Sequence, residues 1–311
     1  MRRVTPPPRL RIHAAVSPPI CRLTSGREGL ALGAATAPAG AVAAEWPQIQ
    51  LSVASPYPTA GLSATAGGAM VLSWLPGVVQ SIVLPDLSQA FERRPPGLVE
   101  ARGAGRANAA LLHADDGWRA VVLPSLGDRL PDLGPGPAAI SASAQKIAVH
   151  DAGTTMVVPL AGGGSVAEYA GEIDELAFAG EELWLSRGGA VAPAGELGPG
   201  TGPPIRRLAG AAGAGRVLAL TADGQLVRCG AGEPPARWRP VIAEVREISL
   251  SDDGEWATLA GADAVAVVRA EDGAVAVFVS GASSIAVAAG RRIVVGGEWG
   301  MALIVSIEES A

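Results

Sequence analysis

Residues 246–279 read REISLSDDGEWATLAGADAVAVVRAEDGAVAVFV. Arg246 to Leu250 and Glu255 to Ala260 mix apolar with polar positions, Ala264 to Arg269 and Ala274 to Val279 are short apolar runs of strand length, and a turn follows each of the first three. Asp252-Asp253-Gly254 and Asp272-Gly273 suit such turns, because glycine accepts positive φ and aspartate bonds to nearby amides. The stretch predicts four antiparallel strands joined in sequence order.

The same device recurs at Ala114-Asp115-Asp116-Gly117-Trp118 and at Ala222-Asp223-Gly224-Gln225-Leu226-Val227. First strands of successive units are expected near Ile20, Gly61, Gly97, Ala138, Ile173, Ala209, Arg246 and Ser283, a spacing of roughly 35 to 41 residues that suits one propeller blade. The expectation is therefore an all-β chain, a β-propeller of four-stranded antiparallel blades, eight in number, with seven as the alternative. The first unit consists of Ile20 to Thr24, Leu30 to Ala35, Ala41 to Trp46 and Ile49 to Val53. The last supplies only Ile285 to Ala289, Arg292 to Gly296 and Ala302 to Ser306, so Leu10 to Val16 is expected to complete it and close the ring. That divides the chain into an amino-terminal segment 1–16, a single propeller domain 17–308 and a tail 309–311. Small residues, as in Ser283-Ser284-Ile285-Ala286, are expected where strands converge on an axis. Only Ser88 to Arg93 reads as a helical turn; no sustained helical stripe is present, and 25 Pro and 41 Gly interrupt the chain.

Composition narrows the class. The apolar fraction is 49% but aromatics are only 4%, which points to close backbone packing by small residues. No apolar run reaches the ~18 residues of a spanning helix. The richest, Val265 to Val295, is broken by Arg269, Glu271, Asp272, Arg291 and Arg292. Met1-Arg2-Arg3 mimics the start of an export signal, but Pro6, Pro7, Pro8, Arg9 and Arg11 stand where its apolar part belongs, so a soluble, cytoplasmic protein without membrane insertion is expected. Cys21 and Cys229 form no CxxC, and a single bridge between them is left open. The net charge of −6 disfavours nucleic acid as a partner, despite Arg2, Arg3, Arg9, Arg11, Arg22 and Arg27. Lys146 is the sole lysine, a bias characteristic of a bacterial high-GC genome.

The segment Ile248 to Gly261 resembles the first two strands of a WD40-type propeller repeat, over residues 245–280 and less toward the amino terminus. Neither a Gly-His pair nor a Trp-Asp dipeptide occurs, so the resemblance is to a divergent WD40-like propeller. Gly67-Gly68, Gly188-Gly189 and Gly296-Gly297 match kelch blades less well, and Asp252 to Trp256 matches a sialidase-type Asp-box only in its turn. The resemblance implies a rigid platform that holds protein partners with its loops, and no reaction.

Reactive residue types are scarce. His13, His113 and His150 lie far apart, without HExxH spacing, and read as structural residues. Walker A and GxSxG sequences are missing. Gly103-Ala104-Gly105-Arg106 and Gly213-Ala214-Gly215-Arg216 look like anion loops but recur at one place in the repeat, which makes them turns. Asp115/Asp116, Asp174/Glu175, Glu181/Glu182 and Asp252/Asp253 would bind a divalent cation if they lined one mouth; turn chemistry is the competing reading. Trp46, Trp74, Trp118, Trp184, Trp238, Trp256 and Trp299 would form a recognition surface on one face, or pack between blades.

No catalytic, metal or binding residue and no cofactor is assigned from sequence. The expected function is a noncatalytic interaction scaffold that presents loops to protein partners. A hydrolase or lactonase with a channel-mouth carboxylate metal site, or a small-ligand sensor, is the alternative. Three or more acidic side chains from different blades meeting at one mouth would favour the enzyme; an exposed apolar or tryptophan patch would favour the scaffold.

Overall fold

The computed structural model describes residues 11–14, 49–55 and 58–306, apart from residues 85, 131–132, 162, 289–291 and 299. Strand β1 (Arg11–Ala14) and β2 (Ile49–Ser55) come first. They are followed by β3 (Gly61–Thr65), β4 (Met70–Leu75), β5 (Val78–Val83) and β6 (Ser88–Arg93), which form one antiparallel sheet in that order. The next sheets are β7 (Glu100–Gly103), β8 (Ala109–Ala114), β9 (Gly117–Val122) and β10 (Gly127–Leu130), then β11 (Ala138–Ile140), β12 (Lys146–Asp151), β13 (Thr154–Pro159) and β14 (Ala167–Ala170). A three-stranded sheet holds β15 (Glu175–Ala179), β16 (Glu182–Arg187) and β17 (Ala190–Pro193). The chain continues through β18 (Ile205–Gly210), β19 (Arg216–Thr221), β20 (Leu226–Gly230) and β21 (Glu233–Trp238). It then forms β22 (Glu247–Leu250), β23 (Trp256–Ala260), β24 (Ala264–Arg269) and β25 (Val275–Ser280). Strands β26 (Ser284–Ala288), β27 (Arg292–Gly297) and β28 (Gly300–Ser306) end the described chain.

Six sheets are thus complete within consecutive strands, and a further one, β26–β28, takes its fourth strand from β2, which pairs antiparallel with β28 from Ile49 opposite Ser306 to Ser55 opposite Met301. The first strands of neighbouring sheets lie side by side, from β26 to β3, β7, β11, β15, β18 and β22, and the sheet of β22 returns to β26. The chain is a β-propeller. Buried apolar clusters lie between neighbouring sheets all the way round the circle: Leu72 and Trp74 with Leu112 and Val121, for example, and Val265 and Val277 with Ile285 and Val295. Each sheet hides its faces against two neighbours, which is why its strands read as apolar runs and not as a one-sided alternation.

Local chemistry sets the turns where the sequence places them. Gly254 has φ of 70°, and Asp253 Oδ1 accepts a 2.9 Å bond from the Glu255 amide, so Asp253-Gly254 reverses the chain between β22 and β23. Toward the axis the strands approach closely. A β-carbon on Gly210 would meet the Phe178 carbonyl oxygen at 2.0 Å, so β18 can lie against β15 only with glycine there.

Four expectations are corrected. The count of eight blades fails, because Ile49 to Val53 joins the last sheet; Ile20 to Thr24, Leu30 to Ala35 and Ala41 to Trp46 lie outside the described residues. The segment expected to close the ring, Leu10 to Val16, supplies β1, which pairs with β25 as a fifth strand of that sheet instead of with β28. Ser88 to Arg93 is strand β6, paired with β5; as an outer strand with exposed Ser88, Phe91 and Glu92 it lacks the buried alternation that marks inner strands. The unit placed at Ala209 begins at Ile205, because Arg206-Arg207, at a register shift opposite β19, masks the strand's start. Among the described residues no helix is long and apolar enough to cross a membrane.

Candidate functional site

The innermost strands surround a cavity of about 550 Å3, within the range of small-molecule pockets. Its wall is mostly small: Ala64, Ala139, Ala177, Ala209 and Ala286 come from five different inner strands. One end is charged. Glu100, Glu175 and Glu247 each occupy the first position of an inner strand, β7, β15 and β22, so the repeat carries them to the same level of the ring. Arg102, two residues along β7, and Arg207, on β18, stand among them.

Arg102 is held on several sides. Its Nε donates to Glu100 Oε1 at 2.7 Å, its Nη1 donates to the Ala138 carbonyl on the next sheet at 2.8 Å, and its guanidinium lies 4.9 Å from the centre of the Trp118 ring. Trp118 in turn stacks on His113, with ring centres 4.4 Å apart. Burial pushes Glu100 up, but the charge of and hydrogen bond from Arg102 outweigh it and hold the carboxyl below its ordinary value. Burial pushes His113 down, so its neutral form is favoured.

The other charges are less well matched. Arg207 Nη1 lies 3.6 Å from Glu175 Oε1, while Glu175 Oε2 is buried without a hydrogen-bond partner. Burial raises the Glu175 carboxyl, against the pull of Arg102 and Arg207. Glu247 lines the cavity half-buried, and burial together with repulsion from Glu100 pushes its carboxyl up to about 7, despite Arg207 and Arg102. A carboxyl shifted that far by desolvation and a neighbouring carboxylate is a recognised mark of a functional site.

Loops narrow the opposite end. A β-carbon on Gly105, after β7, would lie 2.6 Å from that of Ala212, after β18, although these two sheets are separated by two others along the shorter arc of the ring. Arg106 Nε reaches Asp252 Oδ2 at 3.5 Å, and the Gly213 amide donates to the Asp252 carbonyl at 2.7 Å. The two Gly-Ala-Gly-Arg segments therefore do occupy one place in the repeat, between first and second strands, and serve to bring loops together.

The acidic pairs read from sequence do not converge. Asp116 pairs with Arg119, Asp174 Oδ2 accepts the Gly188 and Ile205 amides at 2.8 and 3.1 Å, Glu181 Oε1 accepts the Ser143 amide at 2.9 Å, and Glu182 accepts the Trp184 indole at 3.1 Å. Only Glu175 of these joins the charged end, and Asp252 sits at the opposite one. Among the described residues no three His, Cys, Asp or Glu side chains are grouped to hold a metal ion. Trp74, Trp118, Trp184 and Trp256 are buried; Trp46 and Trp299 lie outside the described residues. His150 is buried with Nδ1 3.0 Å from Thr155 Oγ1, a structural residue. The serines of the channel are already engaged: Ser63 Oγ accepts the Gly103 amide at 2.9 Å, Ser249 Oγ shares a hydrogen with Thr258 at 2.5 Å, and Ser251 Oγ accepts the Trp256 amide at 3.0 Å.

Sequence reasoning missed Glu100, Arg102, Arg207 and Glu247 as a group. The available signal was glutamate at the first residue of three inner strands, visible once the repeats are aligned on observed starts. In comparison with known proteins, no family model and no curated sequence matches the chain.

Proposed function

We propose that the protein is a noncatalytic binding propeller whose seat is the central channel and whose ligand is a small polar molecule. One observation carries this reading: five charged side chains from four sheets gather at one end of a channel whose middle is lined largely by alanine and other apolar residues. A ring that needed only stability would fill that end with apolar side chains, since buried charges seldom gain over them. The scaffold role on the outer rim has less support, because the large exposed apolar residues among those described, Phe91, Val99, Val122 and Val166, are spread over three sheets. Residues 17–308 serve in this reading as one cytoplasmic domain whose last sheet is completed by β2.

A hydrolytic role draws on the meeting of Glu100, Glu175 and Glu247 from three sheets, the arrangement expected to favour an enzyme, and on the near-neutral carboxyl of Glu247 beside ionised Glu100, a pairing of acid and base that hydrolases use. The channel serines are hydrogen-bonded to neighbouring backbone or to Thr258, and an activated water is the nucleophile this role invokes. The test is a set of small charged and neutral molecules titrated into the full chain and followed by amide NMR. Shifts confined to Ala139, Ala177, Ala209 and Ser249 support the channel as the seat; shifts confined to outer loops overturn it. Turnover of an ester or lactone abolished by Glu247→Gln would establish the hydrolytic role instead.

A further inference from the structure

We propose that the channel takes an organic monocation of the alkylammonium class, its head at Glu247 and its carbon chain along the alanine wall. The proposal rests on the channel being a ligand seat and names the ligand's chemistry.

The charges do not balance. Glu100, Glu175 and Glu247 face Arg102 and Arg207, three carboxyls to two guanidinium groups, so one carboxyl has no cation of its own and is driven toward its protonated form. Arg102 is committed to Glu100, the Ala138 carbonyl and the Trp118 face, and Arg207 is turned to Glu175. Glu247 is the carboxyl left over, and it lines the cavity. A second observation points the same way: Glu175 Oε2, on a side chain only 10% exposed, has no hydrogen-bond partner, so the cluster is short of donors. An ammonium supplies both the missing charge and up to three donors.

The wall decides between an organic and a metal cation. No three His, Cys, Asp or Glu side chains are grouped to hold a metal among the described residues, and two guanidinium groups, which repel a divalent ion, stand among the glutamates. Ala64, Ala139, Ala177, Ala209 and Ala286 offer methyl groups to a carbon chain and nothing to a hydrated ion. The contact of Gly105 with Ala212 at the far end limits the chain's length.

The test titrates n-butylammonium, butyrate and 1-butanol separately into the full-length protein and follows backbone amides by NMR. Butylammonium is expected to shift Ala209, Ser249 and Ala286, with butyrate and butanol leaving them in place. Glu247→Gln should weaken butylammonium about tenfold, the loss of one charge-assisted contact, and Arg207→Gln should tighten it. Glu168→Gln, on exposed β14, should change nothing. Channel shifts with butyrate or butanol but not with butylammonium, or an unchanged affinity in both Glu247→Gln and Arg207→Gln, would overturn the monocation while leaving the seat in the channel. Silence of the channel amides to all three probes would overturn the seat as well. Should Glu247→Gln fail to fold, the Arg207→Gln arm decides alone, because that side chain is 43% exposed.

Discussion

Gly105 and Ala212 touch across the ring, close enough that a β-carbon on the first would stand 2.6 Å from that of the second. Real carbons do not approach so closely, so Gly105→Ala must push the two loops apart, at a cost of about 1–3 kcal/mol of overpacking. Ala212→Gly in the same chain removes the opposing methyl group and should recover most of that loss. Urea denaturation of the two single variants and the double variant measures the coupling; strictly additive effects would show that the loops do not meet.

Glu247 makes stability depend on pH. Its carboxyl titrates near 7 in the folded ring against an ordinary value of 4.5, so between these values the folded state binds more protons than the unfolded one. Stability contributed by the protonated form is present below the lower value and is lost as pH rises through the upper one. Glu247→Gln should therefore stabilise by about 1–3 kcal/mol at about pH 8 and hardly at all at about pH 4. Thermal melts across that range would show it, and a parallel offset at every pH would contradict it. A carboxylate retained against stability is what a binding site would keep.

Arg102 and Glu100 stand or fall together. Arg102→Met leaves Glu100 partly buried beside Glu247 without its cation and should cost about 1–3 kcal/mol. Adding Glu100→Gln removes the stranded charge, so the double variant should be more stable than Arg102→Met alone, as read from chemical denaturation. Indole fluorescence should also change in Arg102→Met, because the guanidinium no longer covers Trp118.

Strands β1 and β2 make different contributions. Removing residues 1–16 takes away a fifth strand from a sheet that already has four, and a modest fall in melting temperature is expected. Removing residues 1–57 strips β2 from β28 and bares an edge of the ring, which should bring a large loss of stability and aggregation. Equal effects of the two truncations would contradict the pairing of Ile49 with Ser306.

Much of the ring was readable because its turns are chemical. The unit around Asp252-Asp253-Gly254 and Asp272-Gly273 forms β22 to β25 within a residue or so of its expected bounds, and the starts at Gly61 and Ala138 coincide with β3 and β11. The start of β18 was hidden because it opens Ile205-Arg206-Arg207, and Arg207 lines the channel instead of packing on a neighbouring sheet. The pairings of β1 and β2 were equally hidden, because sequence separation says nothing about which open edge a distant strand will reach. The acidic pairs drew attention by being adjacent, whereas the glutamates that gather, Glu100, Glu175 and Glu247, are spaced about two repeats apart.

The ladder that sets Ile49 opposite Ser306 brings the first strand of the ring and its last to one point. A short covalent link there, with new ends cut into the loop between β17 and β18, would give a circular permutant that loses β1 and keeps the remaining strands of every sheet. Cyclic order, and not the place where synthesis starts, is then what the polypeptide has to preserve.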